Sequence, residues 1–170
     1  MTQRKRLRRV EILCCHCLRN MAFYRSWYAA GTPFKDKQFW VNANSNFLDV
    51  TILEWCKLFG DARGKHYYSM TVAGPTQFKR EMLAHLAATE VAFADYVDQM
   101  RTYRDKCVAH LDDLNTFHVP DLTIAKSSTI FLYQRLLAQE AGNDTFHDAP
   151  KSATDHFNLF FSQGRAEYTK

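Results

Sequence analysis

Glycine and proline are scarce in this chain, six and four among 170 residues, which argues against a turn-rich β architecture. No stretch approaches the roughly 18 consecutive apolar residues that a membrane-crossing helix needs, so no membrane partner is expected. The basic start, Met1 to Val10, leads into no clean signal-peptide core, because Glu11, His16 and Arg19 interrupt it and no small-residue cleavage site follows. The cysteines, Cys14, Cys15, Cys17, Cys56 and Cys107, are odd in number. Without a secretory signal they suit a reducing cytoplasm better than a disulfide framework. Acidic residues are nearly missing from the first 25 positions, where Glu11 alone faces Arg4, Lys5, Arg6, Arg8, Arg9, Arg19 and Arg25. That imbalance reads either as a solvated helix end or as an electrostatic footprint for a polyanion such as RNA.

What is present in quantity is aromatic residues, with 13 Phe, 8 Tyr and 3 Trp, set in helical periodicity. Leu7, Val10, Cys14, Cys17, Met21, Tyr24 and Tyr28 recur at spacings of three and four, predicting a basic first helix over residues 2–30 that stops at Gly31-Thr32-Pro33. A second helix, Lys35 to Phe59, is apolar around much of its circumference and is expected at the centre of a bundle, with Gly60 as its C-terminal cap. Residues 60–75 form the longest loop. Helices from Thr76 to Leu86, from Thr89 to about Asp113 and from Leu122 to Ala141 follow, the last capped by Asp121. Ser152-Ala153-Thr154-Asp155 has capping-box-like spacing and opens a short final helix over 152–165, with a frayed tail beyond. No sustained two-residue alternation and no internal repeat occur. The expected architecture is a single all-α domain over residues 1–170, a bundle of five or six helices.

Within the predicted fourth helix, Phe93, Tyr96, Val97, Met100, Tyr103, Cys107, Leu111 and Leu114 share one apolar stripe, while Asp95, Asp98, Thr102, Asp105 and Asp112 lie opposite. Arg104 lands inside the stripe and His110 at its edge. A guanidinium in that position faces a paired acid, a protein interface or an anionic ligand. On a straight helix the two side chains stand about 9 Å apart along the axis and about 120° apart around it. They would not touch, yet they could converge on a group as wide as a phosphate. The bland alternative pairs Arg104 with an acid from another helix and leaves His110 at a helix end. Cys14-Cys15-His16-Cys17 lacks a second ligand pair at zinc spacing, and it lies mid-helix, unlike a thioredoxin motif; core packing explains it, and no metal is expected. The loop Arg63-Gly64-Lys65-His66-Tyr67-Tyr68 mixes cations with aromatics as single-stranded nucleic-acid contacts do, although such loops are common. His85, His118, His147 and His156 show no triad or ligand spacing.

The stretch Arg104-Asp105-Lys106-Cys107-Val108-Ala109-His110 resembles the signature of the HEPN superfamily, an Arg, a polar residue and a His after four to six intervening positions. The likeness extends to the preceding apolar helix, the Ala109-His110-Leu111-Asp112 continuation, the upstream Trp55 and Leu58-Phe59, and the Val119-Pro120 step. It covers about residues 36–140, leaving the basic first helix and the last helix outside, and the wider pattern also resembles HEPN proteins of the abortive-infection type. The resemblance implies a homodimer with two motifs facing across a cleft, and cofactor-free cleavage of RNA by a toxin or anti-phage effector with a cognate antitoxin protein. Arg104, His110 and Asp105 would be catalytic, and Tyr103, Lys106, Arg63, Lys65 and His66 would contact RNA. An Arg104 locked onto an internal carboxylate, or a His110 aimed at open solvent, would count against that chemistry. Two competing expectations remain, a non-catalytic dimerisation or nucleic-acid-binding module and a nucleotide-binding sensor.

Overall fold

A computed structural model describes residues 2–109, 118–141, 143 and 146–170. The described residues form six α-helices: α1 (Gln3–Ser26), α2 (Gln38–Trp55), α3 (Pro75–His85), α4 (Glu90–Tyr103), α5 (Leu122–Gln139) and α6 (Ala153–Tyr168). The all-α bundle expected from the sequence is what the chain adopts. Among the described residues it also carries a hairpin of two short strands, β1 (Tyr28–Ala29) and β2 (Thr32–Pro33), paired antiparallel. This hairpin shortens the first helix relative to the expected Ala30 end. Ala30 and Gly31 both take positive φ, 49° and 82°, a primed-turn pattern that closes a two-residue hairpin.

Helix starts follow local chemistry. The side chains of Thr2, Thr89, Asp121 and Ser152 each accept a backbone N–H of the first turn of α1, α4, α5 and α6 respectively. Pro75 opens α3 after Gly74 in the left-handed region.

Packing places α1 at the centre beside α2. Along α1, Val10, Cys14, Cys17, Leu18 and Met21 have no exposed surface, and the helix lies against α2, α5 and α6. The expectation of a central α2 holds for Ile52 and Trp55, both fully buried, but Val50 faces outward at 37 % exposure. Trp55 is the hub. Its indole N–H donates to Ser128 Oγ at 3.0 Å, and its ring stacks on Phe59 and meets Tyr96 edge-on. One cluster of buried side chains runs from Leu7 through Trp55, Phe93 and Leu132 to Phe157. The region of resemblance, 36–140, therefore shares a core with the helices that flank it.

The final helix corrects the expectation of a short element with a frayed tail. It continues to Tyr168, only 3 % exposed, whose ring packs on Trp40. Against α1 it makes the most extensive helix pairing of the fold. Among the described residues no helix is long and apolar enough to cross a membrane.

Candidate functional site

Two wide turns build the region around Arg104. α2 runs on past Trp55 as a π-helical turn, Cys56–Gly60, and α4 runs on past Tyr103 as a second one, Arg104–Ala109. Such i→i+5 turns are rare and cluster at functional sites. The first packs on α4 and the second on α2, so they lie side by side. Because Arg104–Ala109 is wider than an α-helix, the 120° offset expected on a straight helix does not carry over to this segment.

Arg104 joins the two turns. Its Nη1 donates to Asp61 Oδ1 at 2.6 Å and its Nε to Asp105 Oδ1 at 2.7 Å, with the Arg104 side chain 18 % exposed. Asp61 is the residue that closes the first π turn, its backbone N–H returning to the Cys56 carbonyl. The bond to Asp105, with that to Asp61, holds the guanidinium even more firmly protonated than usual against the opposing effect of burial. Of the three alternatives for a cation in an apolar stripe, the structure supplies paired acids. Neither acid is internal, since the side chains of Asp61 and Asp105 are 40 % and 54 % exposed. The Nη2 group takes part in neither bond. Cys56 lies close enough to feel this charge, but burial dominates and pushes its thiol up to about 12, which rules it out as a nucleophile near neutral pH.

The other candidate residues divide into three groups. Arg63 lines an open cleft of about 410 Å³ together with Gly60, Asp61 and Arg101, on the Asp61 side of the Arg104 pair. Arg101 is tied at 3.6 Å to Asp98. Lys65 and His66 lie farther along the loop, Lys65 exposed and His66 with Arg9 and Arg6 of α1 among its charged neighbours. Tyr103 and Lys106 line a second cleft, of about 660 Å³, with Thr102, Cys107 and His118. The Tyr103 hydroxyl donates to Asp49 Oδ1 at 3.1 Å, and burial, with Asp49 alongside, raises its pKa. His110 lies outside the described residues. The structure therefore brings Arg104, Asp105 and Arg63 around Asp61, and sets Tyr103 and Lys106 on a separate wall.

The remaining motifs resolve as packing. Cys14 and Cys17 are fully buried, and burial raises both thiols. His156 Nε2 lies 3.1 Å from the Cys15 carbonyl, and His85 packs on Phe131. Among the described residues no cluster of His, Cys, Asp and Glu has the makings of a metal site.

Asp61 and Arg101 are the site residues that sequence reasoning missed. Asp61 stands 43 positions before its partner, directly after a glycine that reads only as a helix cap. No family model, curated protein or solved structure matches this chain.

Proposed function

We propose that the chain is a metal-independent endoribonuclease of HEPN type, working as a toxin or anti-phage effector in the cytoplasm, with Arg104 and His110 as its catalytic pair. The observation that carries this reading is the held guanidinium. Arg104 is fixed from two sides by Asp61 and Asp105 while its Nη2 stays out of both bonds, and its partner Asp61 lines an open cleft with Arg63 and Arg101. A pre-oriented guanidinium costs little to reorganise when charge develops on a phosphate.

RNA brings its own nucleophile, the 2′-hydroxyl. An imidazole with an ordinary pKa near ~6.5 takes the 2′ proton or protonates the leaving 5′-oxygen. The 2′-oxygen bonds to phosphorus as the P–O5′ bond breaks, leaving a 2′,3′-cyclic phosphate and a 5′-hydroxyl. Arg104 Nη2 stabilises the non-bridging oxygens, and Asp105 positions Arg104. The chemistry requires no cofactor. A homodimer would set two Arg104/His110 pairs across one groove, and a cognate antitoxin would cover it.

A second reading is favoured by the same ion pairs. With Nη1 and Nε already on carboxylates, Arg104 also suits a structural latch between the two π turns, and the protein is then a non-catalytic RNA-binding bundle. The two readings part on turnover. The nuclease reading expects His110→Ala and Arg104→Ala each to lower cleavage of single-stranded RNA by about 10²-fold or more with the thermal transition of the parent retained for His110→Ala. The latch reading expects no cleavage by any form, and a lowered Tm for Arg104→Ala alone.

A further inference from the structure

The basic start of the chain and the cationic loop, 50 and more residues apart in sequence, meet on one face. Gln3 Nε2 and Arg6 Nη1 both donate to the Met70 carbonyl, at 3.4 and 3.5 Å, which ties the loop end to the first two turns of α1. Leu7 and Val10 on the inner side of those turns are buried, so the helix is fixed in rotation, with Arg9 exposed and Arg6 half-buried against the loop. α1 also lies against the Cys56–Gly60 turn, whose Lys57 is exposed. His66 records the result. Burial first, then Arg9, Lys57, Arg6 and Lys65 as its leading charged neighbours, all disfavour its protonation.

We propose that Arg6, Arg9, Lys57, Lys65 and His66 form a docking track for the phosphate backbone of single-stranded RNA. The composite arises from three separate segments and is not the property of one charged helix end. Its cations converge on His66 from α1, from the first π turn and from the loop that leads to Arg63. Four cations gathered at one place exceed what a single phosphate group would balance, so the cluster suits a polyanion. Lys57 belongs to the turn that ends at Asp61, the partner of Arg104, and Lys65 stands two residues after Arg63, so both segments of the cluster lead to the cleft that Asp61 and Arg63 line. Arg8 is not part of it, since it turns to Asp148 on another side. The inference rests on RNA being the partner and is independent of cleavage.

The test uses the full chain and a fluorescent single-stranded oligoribonucleotide that is 2′-O-methylated throughout, so that it binds but is not cleaved. Anisotropy titrations over a range of salt give both affinity and the number of phosphates neutralised. The triple variant Arg9→Gln/Lys57→Gln/Lys65→Gln changes only exposed side chains. It should bind at least tenfold more weakly and lose about 2 from the slope of log K against log salt, at about 0.7 per phosphate for a single strand. A control that removes the same charge elsewhere, Lys35→Gln/Lys37→Gln/Lys151→Gln, should bind like the parent. The proposal is overturned if the triple variant matches the parent, or if the control weakens binding equally. It is also overturned if the parent binds anionic vesicles or an acidic peptide through these residues and does not bind RNA. Parallel cleavage assays on unmodified RNA keep the questions apart, because binding along the track without turnover sinks the nuclease and leaves the track.

Discussion

Glu11 shows what a single side chain carries in this fold. It is 6 % exposed on the inner side of α1 and accepts the Cys15 thiol at 3.2 Å. Burial raises its pKa, against the pull of Cys15 and Arg8. Burial likewise raises Glu54 and Asp49. A carboxyl whose folded pKa exceeds its unfolded one binds more protons in the native state, so its contribution to stability is complete below the unfolded value and is lost as pH rises through the folded one. Stability should accordingly rise as pH is lowered from neutral toward the usual carboxylate range. Glu11→Gln should raise the Tm near pH 7 and flatten that dependence; a lower Tm with unchanged pH dependence would refute the assignment. None of this is visible in the sequence. Glu11 reads there only as the lone acid among cations, because its burial depends on α1 being covered by other helices. Arg104 was legible by contrast, since a cation inside an apolar stripe is a local contradiction. The identity of its partner was not, because Asp61 reaches it only through the packing of two wide turns.

At the level of elements, the capped helix starts were readable, since Asp121 and Ser152 announce themselves by residue type at a break in periodicity. The π turns were not. They continue the helical pattern without a break, and only the packing of each turn against the other helix shows where the winding widens. The length of α6 was also hidden, because its apolar positions thin out after Phe161 and its burial comes from contact with α1 through Gly164. A Cβ at Gly164 would run into Ser26 Oγ and crowd Phe23. Gly164→Ala should therefore force α6 away from α1 and cost roughly 1–3 kcal/mol, despite alanine's better helix propensity. Denaturant unfolding measures this, and a variant as stable as the parent would mean that the two helices are not held so closely.

For the whole molecule, the decisive fact is that one core unites the basic first helix, the region of resemblance and the last helix. A chain ending before Ala153 would strip the Phe23 ring of Phe160, Ser26 of its cover at Gly164 and the Cys15 carbonyl of His156. It should lose its cooperative thermal transition; a truncated chain that melts as sharply as the parent would show that the core does not depend on α6. The same union brings α1 to the loop and the loop to Arg104, so the electrostatic and chemical parts of the proposal share one surface. The central claim is that Arg104 and His110 act together on a phosphodiester. The most direct measurement incubates the purified protein and its His110→Ala variant with single-stranded RNA in excess EDTA and analyses the product ends. The account predicts 2′,3′-cyclic phosphate and 5′-hydroxyl ends from the parent and intact RNA from the variant. Equal cleavage by both, or none by the parent, would contradict it.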